Sequence, residues 1–311
     1  MLEIRRIECP SIQEYRDAAR VWEARWDYLK PLNQEKRFEV FQQLGVELVV
    51  ARNEEGLQAV CLVLPDTFTV AQKTGKFVWL FETAANKAMP GVGGLILYRI
   101  MNWYPAIACI GVSEEAEPLY GALRWKRHDR VWRCVHPISL KETVAQYRSR
   151  LDSAWKLHLA TAASFLYDPL VAVWETLCGF GLAVSDKPVG QSSLARVRLA
   201  SSYLNVYRTL CCGKVLEVVE RGGAGRVVLD QLKGLDRLRA HAAMWRKLRD
   251  RNIPINEFVV TSWKAARRAL LLGYLPIRMP IYYWEKTPTL GTWLEDLERT
   301  EFTFASCDKI L

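Results

Sequence analysis

The sequence repeats itself at a distance of 149 residues, and this repeat restricts the chain to a fold built from two similar halves. Segments with the same order of apolar and proline positions coincide at that offset, and the alignment needs no gap. They are 78–80 with 227–229, Pro105 with Pro254, 107–112 with 256–261, and 130–136 with 279–285. A repeat of roughly 150 residues has the length of an ordinary domain, so the sequence predicts two domains of one fold.

The earlier copy contains a glycine-rich turn between an apolar run typical of a strand, 77–81, and an apolar run typical of a helix, 95–103. The turn reads Pro90, Gly91, Val92, Gly93, Gly94. Its three glycines allow positive φ and leave no Cβ in the way, so backbone N–H groups can converge on an anion at the positive end of the helix. The pattern predicts a pyrophosphate site, although proline and glycine also form ordinary turns before helices.

A second motif follows one short strand, 107–112, later. It consists of Ala116, Leu119, Tyr120, Arg124 and Trp125. In order and spacing, the turn, the helix and this motif resemble the Gcn5-related N-acetyltransferase (GNAT) superfamily, whose second motif reads Asn-x-x-Ala-x-x-Leu-Tyr-x-x-x-Gly-Phe. The resemblance implies an acyl-coenzyme A co-substrate, acetyl-coenzyme A or another, and transfer of its acyl group to an amine.

The resemblance also implies roles for individual residues. Those expected to hold coenzyme A are Leu80, Phe81, Met89, Gly91, Val92, Gly93 and Gly94. A backbone N–H near 80–82 is suited to polarise the thioester carbonyl, Glu82 to accept the amine proton, and Tyr120 to protonate the departing thiolate. The alternatives are a solvated carboxylate at the end of a strand for Glu82 and a packed aromatic ring for Tyr120. The chain departs from the family at Ala88, where Arg or Gln is usual, and at Arg124, where the family has Gly.

The later copy lacks the glycine turn. At the 149-residue offset the turn falls on 239–243, in the middle of a predicted helix, 235–249. Asp236 is expected to cap this helix and to repel phosphate. We therefore expect the later copy to shape an acceptor cleft and not to bind coenzyme A.

Composition limits the partners and the compartment. A net charge of +9 and a pI near 9.1 favour anionic partners such as coenzyme A, a nucleotide sugar, tRNA or an acidic membrane surface. Eight cysteines without a C-x-x-C pair predict reduced thiols in a cytoplasmic protein, and the four histidines lack metal-ligand spacing, so no metal site is expected. Neither a signal peptide nor a transmembrane segment is expected, and the apolar window 165–184 leaves a helix that lies on a membrane surface open.

The predicted fold class is α+β, with two tandem GNAT-like domains whose mixed, mostly antiparallel sheets are flanked by helices. The predicted boundaries are 1–138 for the domain with the acyl-coenzyme A loop, 139–190 for a helical linker, and 191–311 for the degenerate domain. Such a tandem architecture is similar to that of the Fem-type peptidoglycan aminoacyltransferases.

Three functions are compatible with these features. The leading hypothesis is an acyl-coenzyme A dependent N-acyltransferase acting on a small polar acceptor, such as an amino sugar or a nucleotide-linked amino sugar. A Fem-like enzyme that takes an aminoacyl group from tRNA is the second, and only this hypothesis calls for nucleic acid as a partner. The third is a non-catalytic tandem module that binds a ligand. The sequence leaves the acceptor, the acyl chain and the oligomeric state open.

Overall fold

The first half of the chain alternates strands and helices, as the sequence predicts. In the computed structural model, which describes residues 1–23, 34–70, 73–146, 154–186, 199, 201–270 and 272–297, this half forms eleven elements among the described residues. They are β1 (Glu3–Ile7), α1 (Ile12–Glu23), α2 (Gln34–Gln43), β2 (Glu47–Asn53), β3 (Gly56–Val70), β4 (Lys73–Ala85), α3 (Val92–Trp103), β5 (Ala106–Ile110), α4 (Glu117–Ala122), β6 (Lys126–His128) and β7 (Trp132–Pro137).

Two helices follow and connect to a second set of strands. The elements are α5 (Leu140–Gln146), α6 (Ala154–Cys178), β8 (Val184–Asp186), β9 (Val206–Cys211), β10 (Lys214–Arg221), β11 (Ala224–Asp230), α7 (Gly234–Asp250), β12 (Ile255–Val260), α8 (Trp263–Leu270), β13 (Leu275–Arg278), β14 (Ile281–Glu285) and α9 (Leu290–Glu295). Among the described residues, no helix is both long and apolar enough to cross a bilayer.

Local sequence signals account for many of these boundaries. Ser11 and Glu14 form the predicted capping box of α1, with the Glu14 N–H donating to Ser11 Oγ at 3.2 Å and the Ser11 N–H donating to Glu14 Oε2 at 2.8 Å. The β2–β3 hairpin turns at Gly56, whose φ of 115° is accessible to glycine. β3 and β4 pair from Ala59–Ala85 to Val70–Lys73, so both are longer than the apolar runs that predict them.

The two sheets exchange their penultimate strands. In spatial order the first sheet is β1, β2, β3, β4, β5, β14, β6, and the second is β8, β9, β10, β11, β12, β7, β13. β14 lies antiparallel to β5 with Tyr282 opposite Cys109, and β7 lies antiparallel to β12 with Cys134 opposite Phe258. Each copy therefore completes the sheet of the other.

This exchange corrects one prediction from the sequence. The segment 130–136 is expected to close the first half, whereas β7 pairs with β12 and β13 of the second sheet. The cause is that β7 and β14 are equivalent strands of the repeat, and each finds the same kind of neighbours in the opposite sheet. Division of the chain at 138 and 190 stays a prediction.

The offset of the repeat is nearly constant. The first residues of β5, β6 and β7 each lie 149 positions before those of β12, β13 and β14. Strand pairing nevertheless places Val78 opposite Ile107 but Gly225 opposite Asn256. Val78 therefore corresponds to Gly225, which lies 147 positions later and not 149. The repeat needs a gap of two residues at β11, and the prediction that it needs none is wrong.

Three apolar cores hold the structure together. One lies between the sheets and combines Trp79, Phe81 and Ile110 of the first copy with Val219 and Val228 of the second. The other two lie on the outer faces, under α3 and α4 of the first copy and under α7 and α8 of the second. Alternation along β4 produces this division, because Trp79 and Phe81 face the shared core while Val78 and Leu80 face α3.

A buried ion cluster also joins the copies. The side chain of Glu82 in β4 is 6% exposed, and its Oε1 accepts hydrogen bonds from Arg37 of α2 and, at 3.0 Å, from Arg221 of β10. Both guanidinium groups are buried as well. Removal of one partner from a buried ionic cluster leaves charge uncompensated, which typically costs about 3–5 kcal/mol.

We predict that Arg221→Met lowers the free energy of unfolding by about 3 kcal/mol, since Glu82 would keep only Arg37 in a buried site. Arg5→Met is the matched control, because Arg5 pairs with Glu3 on the surface and such pairs contribute about 0–1 kcal/mol. Urea unfolding of both variants measures the difference. Equal effects would show that the cluster does not stabilise the contact between the copies.

Candidate active site

The parallel pairing between β4 and β5 ends partway along β4, in the middle of the first sheet. Their parallel pairing covers Val78–Ile107, Trp79–Ala108 and Leu80–Cys109, and β4 then continues to Ala85 beside β3 alone. We call the side of β4 that lacks a paired strand beyond Leu80 the gap, because backbone N–H and C=O groups without a strand partner can bind a ligand. The predicted residues Leu80, Phe81 and Glu82 all lie where the gap opens.

A β-bulge marks the same place. Val60 pairs with Ala84 and Leu62 pairs with Phe81, so Cys61 of β3 faces two residues, Glu82 and Thr83, of β4. Glu82 has a φ of 49°, which is uncommon for a residue other than glycine. A bulge of this kind bends its strand, and here it turns the Glu82 side chain to the same face of the sheet as that of Phe81.

The redirected carboxylate of Glu82 lies among residues of the core shared by the copies. Its Oε1 binds Arg37 and Arg221, while its Oε2 is buried and accepts no hydrogen bond from the described residues. Charges of Glu82 and Arg37 also act on Tyr15 and Tyr203, and burial raises the pKa of both phenols. The solvated carboxylate that the sequence allowed for Glu82 is therefore absent, because two cations and two aromatic rings surround it.

Tyr120 lies at the gap on the opposite face of the sheet. Its ring is buried and packs edge-on against Trp125, with the ring centroids 4.9 Å apart. The tilted ring of Tyr282, from the exchanged β14, has its centroid 5.5 Å away. Burial and the neighbouring Cys109 thiol raise the pKa of Tyr120 well above its usual value, so its hydroxyl keeps its proton at neutral pH. Cys109 is the last residue of β5 that pairs with β4, which places the phenol beside the gap.

The glycine turn leads into α3 close to the same gap. Gly91 is the N-cap with a φ of 85°, and the first turn of α3 contains no acidic residue. The N-cap makes no side-chain hydrogen bond, and the first N–H bonded within the helix is that of Leu95, to Gly91 O at 3.0 Å. The N–H groups of Gly93 and Gly94 precede that bond, so they belong to the group of donors that an α-helix leaves unsatisfied at its start.

Only one of the three glycines uses the positive φ that the sequence allows for all of them. Only Gly91 adopts positive φ, whereas Gly93 and Gly94 are helical. A Cβ on Gly94 would lie 3.1 Å from Leu119 Cδ1, so Gly94 lets α4 pack closely against the first turn of α3. A Cβ on Gly93 would meet Ala85 Cβ at an ordinary 3.5 Å. These contacts bring the helix start, the end of β4 and α4 together.

Side chains outside the motif hold the loop between β4 and α3. Asn86 Nδ2 donates to Gln58 Oε1 at 2.9 Å, and the Ala88 N–H donates to Asn86 Oδ1 at 3.0 Å. Asn53 Oδ1 accepts from Gln58 in turn. Sequence reasoning missed these residues, although an asparagine two positions before the N–H that it binds is a recognisable turn signal.

The remaining predicted residues of the loop support the helix with their side chains. Val92 is buried in the core under α3, and Met89 packs against that core. They lie on either side of the turn at Gly91, where the Val92 amide nitrogen is 3.4 Å from Met89 O. The open helix start, the gap and the buried phenol therefore fit a ligand with a phosphate at one end and a reactive group at the other.

The core beneath α7 in the second copy contains a polar cluster. The hydroxyl of Tyr274 contacts His241 Nδ1 at 2.7 Å, Trp245 Nε1 at 3.0 Å and Asn256 Nδ2 at 2.9 Å, and all four side chains are buried. His136 of the exchanged β7 stacks on Trp245 at 3.9 Å, and burial lowers its pKa to about 4. These side chains pack as core, and His241 Nε2 also lies 3.1 Å from Asp230 Oδ2.

The start of α7 differs from that of α3 in charge. Its N-cap is Lys233, which makes no side-chain capping bond, and Asp236 is the third residue of the helix. The prediction that Asp236 caps α7 is therefore wrong. Its carboxylate nevertheless lies in the first turn, where it is favoured by the helix dipole and repels an anion.

Potential metal ligands come together at one place within the described residues. The ligand atoms of Cys211, Cys212 and Asp236 lie within 4.8 Å of one another. Spacing along the chain missed this group because Asp236 follows Cys212 by 24 positions.

The cysteines of the described segments are free thiols, since no disulfide joins any of the seven. Burial raises the pKa of the Cys134 thiol to about 12, which makes it a poor nucleophile.

Comparison with known proteins adds information about the fold. No protein-family model and no curated protein matches the sequence. A tandem GNAT protein from the clavulanic acid biosynthesis pathway is similar in structure over 93% of this chain and 100% of its own, with a TM-score of 0.52 and 10% identity.

Two other solved structures match with TM-scores below 0.5. A protein from Pyrococcus horikoshii described as an acetyltransferase covers 92% of this chain and 90% of its own, with a TM-score of 0.48 and 11% identity. A GCN5-related N-acetyltransferase from Anabaena variabilis covers 90% of this chain and 72% of its own, with a TM-score of 0.49 and 8% identity. The match to the tandem GNAT protein, together with the two seven-stranded sheets, confirms the predicted fold class. The chain has the fold of the tandem Gcn5-related N-acetyltransferases.

Proposed function

We propose that the protein is an N-acyltransferase that binds acetyl-coenzyme A, or another acyl-coenzyme A, in its first copy only. The observation that carries this proposal is the uncapped, glycine-lined start of α3 beside the gap between β4 and β5. The N–H groups of Gly93 and Gly94 would donate to the pyrophosphate, and Gly91 and Val92 would form the turn around it. Leu80, Phe81 and Met89 would line the path of the thioester arm.

The catalytic groups would act from opposite faces of the sheet. Glu82 lies on the side shared with the second copy, and Tyr120 lies on the side of α3 and α4. An amine that enters between the copies would attack the thioester carbonyl in the gap, and the C–S bond would break. Glu82 Oε2 would take the amine proton, and Tyr120 would give its proton to the thiolate.

A ternary complex is sufficient for this reaction, because correct placement of two substrates supplies much of the reduction in barrier. A backbone N–H in the bulge at 80–82 would stabilise the developing oxyanion. Ala88 leaves the phosphate without the usual Arg or Gln, so the backbone amides and the helix dipole would carry more of the binding. Arg37 and Arg221 would hold the Glu82 side chain in place.

The acceptor would be a small polar amine bound on the Glu82 side. Tyr203 lies near Glu82, Arg37 and Arg221 and is partly buried against the shared core, and an aromatic ring of this kind suits a sugar face. An amino sugar or a nucleotide-linked amino sugar is therefore the acceptor class to test first. Release of free thiol from acetyl-coenzyme A in the presence of glucosamine and of nucleotide-linked amino sugars provides the assay.

We predict that Gly93→Asp weakens acetyl-coenzyme A binding at least about a hundredfold. Its carboxylate would occupy the helix start and replace two charge-assisted hydrogen bonds, each worth about 1.5–3 kcal/mol, with repulsion. Gly93→Ala is the matched control, because its Cβ meets Ala85 at an ordinary distance and affinity should stay within about tenfold of wild type. Calorimetry measures both, and equal affinities of the two variants would remove this helix start from the site.

We predict that Tyr120→Phe lowers kcat about a hundredfold or more while acetyl-coenzyme A affinity changes little, because the ring would keep its contacts with Trp125 and Tyr282. Tyr98→Phe, on the exposed face of α3, should leave kcat unchanged. Unchanged turnover in Tyr120→Phe would refute its role as the acid.

A further inference from the structure

α6 has its apolar side facing outward. Seven large apolar side chains are exposed along one stripe of this helix and the turn after it, and we call them the α6 stripe. They are Phe165, Leu166, Leu170, Val173, Trp174, Leu177 and Phe180. Leu170 is 69% exposed and Phe180 is 75% exposed, which is unusual for so many neighbouring residues.

The two carboxylates of α6 face the protein instead. Glu175 is buried and binds Arg249 of α7 through both oxygens, at 2.9 and 3.1 Å. Asp168 accepts the N–H groups of Leu140 and Lys141 at 2.6 and 3.3 Å, so it caps α5. Because both carboxylates turn inward, the exposed side between 161 and 180 carries no charged residue.

The helix is held firmly, so the stripe is a preformed surface. A Cβ on Gly179 would lie 2.8 Å from Ala243 N, which shows how closely the end of α6 approaches α7. Tyr167 donates to Pro137 O at 2.9 Å, and Arg246 binds the backbone oxygen of Gly179. A rigid apolar surface loses little conformational freedom when a partner covers it.

The size of the stripe fits a protein interface. At about 150–200 Å² for each fully exposed large side chain, the seven residues expose on the order of 800 Å². The largest apolar patch of a typical monomer is roughly 300–600 Å², whereas each partner of a stable dimer buries about 800 Å². We propose that the α6 stripe is the contact between two copies of this chain, related by a two-fold axis.

A two-fold axis between Leu170 and Val173 would pair the two helices antiparallel. Leu166 of one copy would then face Leu177 of the other, and Phe180 would face the small Ala163. Large residues would thus meet small or flexible ones, and the absence of charge on this side avoids repulsion between identical surfaces. The alternative occupant is a membrane, but a helix that lies on membranes has Lys and Arg on its polar side, whereas the described polar side of α6 carries Asp168 and Glu175.

The test is the molar mass of the full-length protein in solution. Sedimentation equilibrium of the wild type should give about twice 35.7 kDa at micromolar concentration, and Leu170→Lys with Leu177→Lys should raise the dissociation constant at least tenfold. Both substitutions are on the surface, so the fold, measured by the far-ultraviolet circular dichroism spectrum, should be unchanged. Leu235→Lys is the control, because Leu235 is 77% exposed but lies outside the stripe.

Three results would overturn the proposal. The first is a wild-type monomer at about 100 μM, a concentration at which interfaces of this size associate. The second is a dimer that survives in the double variant. The third is a monomer that floats with anionic phosphatidylglycerol vesicles and loses this binding in the double variant, which would make the stripe a membrane contact.

Discussion

The reciprocal exchange of β7 and β14 is the constraint on which the rest of the structure depends. Without β14, β5 would have an open edge in the middle of the first sheet, and without β7 the same would hold for β12. The exchange also carries Tyr282 to the ring of Tyr120. A second copy that has lost its glycine turn is therefore still required, because it supplies part of the sheet and part of the environment of the acid proposed in the first.

The two copies differ at the helix start where we propose the binding site. In the first, the helix start has no side-chain cap and no acidic residue. In the second, Asp236 enters the first turn and a buried polar cluster around Tyr274 lies beneath the helix. The second copy instead presents Arg221 to Glu82, so its contribution to the proposed reaction is to position residues of the first.

The sequence predicted the repeat, the fold class and the chain positions of the glycine turn and Tyr120, because each depends on local patterns. It could not predict the exchange, since β7 has the same alternation whichever sheet it joins. The contacts of Glu82 with Arg37 and Arg221 span 45 and 139 residues, and the left-handed backbone at Glu82 has no local signature. The apolar window 165–184 left a surface-lying helix open, but the sequence could not show which side of α6 faces outward, because the partners of Asp168 and Glu175 lie on other helices.

Backbone amide exchange with and without acetyl-coenzyme A tests the central claim most directly, because both helix starts are observed in one experiment. If the first copy alone binds, the ligand should slow exchange of the N–H groups of Gly93 and Gly94 and leave the first turn of α7, 234–237, unchanged. Protection at the start of α7, or at neither helix, would contradict the account.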